Sequence, residues 1–174
     1  QFFSDYVKSD MGGTAKVGVV GALNSFIQNQ RLDGFKAAVE KGGQKVEFLN
    51  TVDGQNVQDV ALSAAENLMT ANPDMNALYA TGEPALLGAV SAVVSQGRGD
   101  SIKVFGWDLT KSAIDGIDQG FVTAVIQQDP AGEGKAAVEA LVKVKKGEKI
   151  EPIINVPVTI VTKANVDQYR EMFK

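Results

Sequence analysis

Short runs rich in Val, Ile, Phe and Ala alternate along the chain with longer segments of helical period, the pattern of repeated βα units and a parallel sheet. Five such runs stand out, at residues 16–21, 45–50, 77–80, 103–107 and 121–127. Between the first two, Ser25 and Gln28 have capping-box spacing and predict a helix that runs to Glu40 and closes at Gly42 and Gly43. The next helix carries Val57, Val60, Ala61, Ala64 and Leu68 on one face and stops before Pro73. A third opens with Pro84 and is expected to bury Leu87, Val90 and Val94 before Gly97. A fourth, shorter helix is predicted over 110–119, and residues 1–9 also read as helix. Beyond residue 127 the alternation breaks. Asp129, Pro130, Ala131 and Gly132 read as a connector, followed by a helix at 133–146, an extended stretch at 151–162 that alternates Val156, Val158 and Ile160, and a terminal helix at 165–173. The fold class expected is α/β, an open parallel sheet flanked by helices.

Composition narrows the chemistry. With 174 residues, 44% of them hydrophobic and 22% charged, the chain is long enough and apolar enough to pack a core. Its net charge of −4, with Lys and Arg scattered except at 143–149, gives no footprint for nucleic acid. No apolar stretch approaches the roughly 20 residues of a membrane helix. The absence of Cys and His removes disulfides, thiolate zinc sites, cysteine nucleophiles and every mechanism that depends on imidazole. No cofactor or metal is expected. The chain opens at Gln1 without an initiator Met or a charged-then-apolar leader, so a leader is expected to have been removed with whatever preceded it.

In an open parallel sheet, ligands collect at the carboxyl ends of the strands. The loops there hold Asn24 and Ser25, then Asp53, Gln55 and Asn56, then Thr81 and Glu83, then Trp107 and Asp108, and last Gln127, Gln128 and Asp129. Arg31 lies two turns into the helix that starts at Ser25, and its long side chain can reach back toward the same rim. Amides, carboxylates, one guanidinium and one indole suit a neutral, hydroxyl-rich small molecule: carboxylates and amides bond vicinal diols, a guanidinium holds two hydroxyls in its fork, and an aromatic face covers the apolar side of a sugar ring. No glycine pattern for binding phosphate follows any strand. Ser25 and Thr110 have no imidazole base beside them, and Asp53 with Asp59 lack a substrate frame, so no catalytic residue is assigned.

Several segments carry a resemblance: Val17, Gly18, Val19, Val20 and Gly21 leading to Gln30, Arg31, Leu32, Asp33, Gly34 and Phe35; the run from Asn67 to Asp74; Glu83 to Gly88; Val104, Phe105, Gly106, Trp107 and Asp108; and Ile126, Gln127 and Gln128 before Asp129 and Pro130. In order and spacing the chain resembles the C-terminal portion of ribose-type periplasmic sugar-binding proteins. That resemblance implies a protein of two lobes joined by three hinge crossings, with sugar held between them, and a complete member close to double this length. It implies that residues 1–127 form one lobe, that 128–160 hold a hinge crossing and a piece of the other lobe, and that 161–174 return. It also implies a solute receptor outside the cytoplasm, in the periplasm, that delivers a sugar or polyol to the membrane permease of an ABC importer. Arg31 matches the arginine such proteins place on sugar hydroxyls, Asp108 the aspartate after a glycine and an aromatic residue, and Gln128 a hinge-side polar ligand. Trp107 stands where phenylalanine is more usual.

Two positions depart from the family pattern. Asn56 replaces an aromatic clamp, and Gly82 with Glu83 replaces an Asn-Asp pair. Both point away from ribose, toward an acyclic polyol, a hexose or an amino-substituted ligand. Plainer readings exist for several candidates: Asn56 and Glu83 as helix caps, Trp107 as core, and Arg31 as a surface arginine paired with Asp33 or Glu40. The alternative function is the effector-binding core of a sugar-responsive regulator of the lactose-repressor type, which shares the fold. A lobe standing alone would expose its rim and the helix at 133–146, for which a homodimer or exchanged segment is one expected remedy.

Overall fold

The computed structural model describes residues 1–173. Its elements follow the βα alternation: α1 (Phe2–Asp10), β1 (Thr14–Gly21), α2 (Phe26–Gly42), β2 (Lys45–Asp53), α3 (Gln58–Ala71), β3 (Ala77–Ala80), α4 (Glu83–Ser95), β4 (Lys103–Trp107), α5 (Lys111–Gln119), β5 (Val122–Gln127), α6 (Pro130–Lys145), β6 (Thr159–Val161) and a terminal 3-10 helix (Val166–Phe173). The sheet order is β2-β1-β3-β4-β5-β6, with the first five strands parallel and β6 antiparallel to β5 at the edge. The chain runs outward from β1 to β2 and then crosses back to β3 on β1's other side, so the strand order reverses at β1.

Side chains alternate between two buried faces, as a sheet covered on both sides requires. Ala77, Tyr79, Val17, Val19 and Phe105 meet α1 and α2 through Phe3, Val7, Leu32 and Val39. Leu78, Ala80, Val20 and Val104 meet α3, α4 and α5 through Leu68, Leu86, Val93 and Ile117. Gly18 marks how closely the second layer sits: a Cβ there would lie 2.3 Å from the Met75 sulfur and 2.8 Å from a Leu68 methyl. An extra residue in β2 between Phe48 and Thr51, opposite Val17 and Val19, lengthens that strand to Asp53.

Several expectations are corrected. In α4 the buried residues are Leu86, Val90 and Val93, while Val94 is 57% exposed and Leu87 only half-buried, because the helix is packed by its Ala85, Ala89 and Ala92 stripe and not by the stripe beside it. In α3 the inner face is Ala61, Ala65, Leu68 and Met69, with Val57 outside the helix and exposed. Residues 129–132 form no connector: Asp129 accepts from the Gly132 N–H at 2.9 Å and caps a helix that starts at Pro130, whose fixed φ suits a first helical position. Of the extended stretch only Thr159–Val161 pairs, and the terminal helix is 3-10. Asn165 stops β6, accepting from the Thr162 N–H at 2.8 Å and donating to the Ile160 carbonyl at 3.0 Å.

The elements after β5 divide sharply. α6 has no buried residue, and Val138, Leu141, Val142 and Val144 on it are exposed, as are Ile150, Ile153 and Ile154 after it. The 3-10 helix packs back on the sheet region through α5, where Val166 is buried and Arg170 forms a two-pronged bond to Asp118 at 2.9 and 2.8 Å.

Candidate functional site

The reversal of strand order places a crevice outside the carboxyl ends of β1 and β3, and the polar rim is built around it. Ser25 caps α2, its hydroxyl accepting from the Gln28 N–H at 3.4 Å, and so points the first turns of the helix over that crevice. From the second turn Arg31 reaches inward. Its guanidinium donates to the Thr81 carbonyl at the end of β3 (3.0 Å), lies 3.8 Å from Asp108 beyond the end of β4, and stacks 4.1 Å from the centroid of the Trp107 ring. The Arg31 side chain is only 15% exposed and the Asp108 side chain 25%, so the pair works in a medium where charge contacts are less screened than at an open surface. Gln128, after β5, donates from Nε2 to the Asp108 carboxylate at 2.6 Å.

Trp107 is fixed from behind. Its indole N–H donates to the Tyr79 hydroxyl at 2.8 Å, and the Tyr79 ring stacks on Phe35 with centroids 4.1 Å apart. Burial pushes the Tyr79 phenol up to about 12; the bond from Trp107 and the nearby Arg31 charge act in the other direction and are outweighed. The phenol is therefore neutral at physiological pH and serves as a hydrogen-bonded prop for the indole. One face of Trp107 is taken by the guanidinium and not left open for a sugar ring. A groove of about 480 Å³ runs from Arg31 and Trp107 under α1, lined by Phe3, Ile27, Phe35 and Tyr79 among others, so the polar cluster stands at the mouth of an apolar recess.

Arg31, Trp107, Asp108 and Gln128 are thus brought into one hydrogen-bonded and stacked group. Asn56 joins it indirectly: its Oδ1 accepts from Gln28 Nε2 at 3.0 Å, and Gln28 in turn is bonded to the Thr81 hydroxyl at 2.7 Å. Asn24 and Glu83 lie on the same rim, exposed, outside this network. The plainer capping readings are corrected. Val57 and Gly82 occupy the N-cap positions of α3 and α4, neither with a side-chain cap, and Asn56 turns its amide to Gln28 instead. Arg31 pairs with Asp108 and not with Asp33 or Glu40, since α2 turns it toward the sheet.

Two contributors escape the sequence reading, Tyr79 and Gln28. Gln28 stands out in sequence only as the second half of a capping box, but the Ser25 N–H goes to the Ala22 carbonyl at 3.0 Å and the Gln28 side chain turns inward. The usable signal is spacing: positions 28, 31 and 35 lie on one helical stripe, so a polar residue at 28 faces the same way as Arg31 and Phe35.

Chemically, Asp108 presents an acceptor held by one amide, and Arg31 presents donors beside it. Among the described residues no hydrogen bond takes up the other guanidinium nitrogens. An acceptor and a fork of donors side by side fit adjacent hydroxyls.

Comparison with known proteins places these features in context. The family described as periplasmic binding protein domain matches residues 2–149. The ribose import binding protein of Escherichia coli is 31% identical over 160 residues, covering 91% of this chain and 53% of that protein. A putative rhizopine-binding protein of Rhizobium meliloti is 31% identical over 121 residues, covering 69% of this chain and 38% of that protein. Among solved structures, an ABC transporter solute-binding protein from Agrobacterium vitis with bound alpha-D-tagatopyranose superposes with a TM-score of 0.85 at 25% identity, over 95% of this chain and 55% of that one. One from Actinobacillus succinogenes with bound D-allose gives 0.84 at 23% identity, over 97% and 60%. The chain spans about half the length of the curated ribose-binding relatives it matches.

Proposed function

This chain belongs to the periplasmic binding protein domain family, and from that premise we propose that it supplies one wall of an interlobe cleft that takes a sugar or polyol for an ABC importer. The observation that carries the reading is the Arg31, Asp108, Gln128 cluster at the point where strand order reverses. A ligand hydroxyl donates to the Asp108 carboxylate while its neighbour accepts from Arg31, Gln128 holds the carboxylate in register, and Trp107 keeps the guanidinium flat. The names of the relatives, import binding proteins among them, support transport over the regulator reading.

Residues 1–127 act as one lobe, 128–160 carry a crossing and a segment that packs elsewhere, and 161–174 come back. The exposed apolar face of α6 and the packing of the 3-10 helix on α5 support that division. Closure of a second lobe over the rim would then shield the charged pair from water and present the closed form to a membrane permease outside the cytoplasm. Where no second lobe is present, a homodimer would serve to cover α6. Asn56 and Glu83 at the rim favour an acyclic polyol, a hexose or an amino-substituted ligand over ribose. No helix among the described residues is long and apolar enough to cross a membrane.

The test is a thermal-shift panel of pentoses, hexoses and polyols on the natural full-length protein and on its Asp108→Asn variant. At least one member should stabilise the natural protein, and the variant should lose most of that stabilisation. A panel without effect, or an Asp108→Asn variant that responds equally, overturns the reading.

A further inference from the structure

Gln28 is a buried amide, 8% exposed, with each end committed. The Ala22 backbone N–H, which can only donate, lies 3.0 Å from one end of the side chain, so that end is the oxygen. The same oxygen accepts from the Thr81 hydroxyl at 2.7 Å. The nitrogen end must then face an acceptor, and the atom 3.0 Å away on Asn56 is Oδ1. Asn56 is therefore held with its NH2 group outward. Its backbone is fixed as well: Gln55 and Asn56 both adopt left-handed φ, 52° and 58°, and Asp53 ties the loop by accepting from the Gln55 and Leu23 N–H groups at 2.9 and 3.1 Å.

We infer that Gln28 is a positioning residue that sets the donor polarity of the β2 end of the rim, an inference that rests on reading this rim as the ligand site. Passing from β2 to β4 the rim presents donors at Asn56, donors at Arg31 and an acceptor at Asp108. The ligand it fits carries an accepting oxygen, a hydroxyl, ring or carbonyl oxygen, where it meets Asn56, and not an apolar face. Gly82 belongs to the same device: a Cβ there would lie 2.8 Å from Gln28 Nε2 and 2.9 Å from its amide carbon, so any side chain at 82 would push the Gln28 amide off its present position. Asn56 and Gly82, the two departures from the family pattern, are thus joined through one side chain.

The experiment uses two variants, Gln28→Glu and Gly82→Ala, and two readouts. Glutamate at 28 still accepts from Ala22 and Thr81 but cannot donate, which forces the Asn56 amide to turn over. Alanine at 82 displaces Gln28 without new charge, and its backbone, at φ −166°, is open to any residue. In side-chain amide NMR of the natural chain the Asn56 NH2 protons should exchange rapidly with water and those of Gln28 slowly. In Gln28→Glu the Asn56 protons should become protected. For whichever of D-ribose, D-allose and myo-inositol binds the natural protein best, both variants should weaken affinity about tenfold, the scale of one reoriented hydrogen bond. Unchanged Asn56 exchange in Gln28→Glu, or unchanged affinity in both variants, overturns the inference. If none of the three ligands binds the natural protein, the functional reading falls while the exchange data still decide the role of Gln28.

Discussion

The sheet region from β1 to β5 and the segment from Pro130 to Pro157 both carry many apolar side chains and end in opposite conditions. α4 is apolar nearly all round and α6 sets its apolar side chains among charged ones; α4 buries Leu86, Val90 and Val93 under the sheet, whereas α6 leaves Leu141 70% and Val138 60% exposed. Both segments form helices; α4 has a sheet to pack on and α6 has no such surface among the described residues. The 3-10 helix makes the same contrast, since it follows the unpacked segment in sequence and yet packs against α5 through Val166 and the Asp118–Arg170 pair. Cooperative structure here follows contact and not chain order, and the rim residues lie on the packed side or, in Gln128, at its border.

Amide hydrogen exchange should show the largest difference between the two regions. Strand amides of Val19, Leu78 and Val104 should be protected by more than about a thousandfold, the scale of global unfolding, while α6 amides should show little protection in the chain by itself. Strong protection across α6 would mean that it has found a partner, a second copy first among the candidates. Next in size is stability. Leu78→Ala should cost about 3 kcal/mol by chemical denaturation, because the side chain is fully buried between β1, β4 and the helices. Leu141→Ala in α6 should stay within about 0.5 kcal/mol.

The sheet was legible because its signal is local. The runs at 77–80 and 103–107 coincide with β3 and β4, and Ser25 and Gly43 bound α2 as capping chemistry requires. What was not legible depends on apposition. Val93 and Val94 differ by one position in a helix that is apolar nearly all round, so periodicity alone could not choose the inner stripe. Asp129 before Pro130 serves equally as a turn or as a cap. At the site, Arg31, Trp107, Asp108, Gln128 and the loop position of Asn56 could be named from strand ends, but Tyr79 and Gln28 act through residues far along the chain, and the bond that turns the Asn56 amide away from capping α3 depends on Gln28.

Smaller effects refine the boundary at the chain's return. Arg170 holds the Asp118 carboxyl below its usual value of 3.8 through a hydrogen-bonded pair, with Lys163 assisting. A carboxyl whose folded value is depressed contributes stability that is complete above the unfolded value and is lost as pH falls through the folded one. The natural chain should therefore lose part of its thermal stability below about pH 4, and Arg170→Met should flatten that part of the pH dependence while leaving α6 unaffected. The effect is small because the pair is exposed to solvent.

The most direct test of the central claim is backbone and side-chain NMR shift mapping of the 174-residue chain, titrated to millimolar D-ribose, D-allose and myo-inositol. A lobe contributing one wall of a sugar or polyol cleft predicts weak, saturable shifts concentrated at Arg31, the Trp107 indole, Asp108, Gln128 and the Asn56 amide. Saturable shifts centred elsewhere, or none with any of the three, would contradict it.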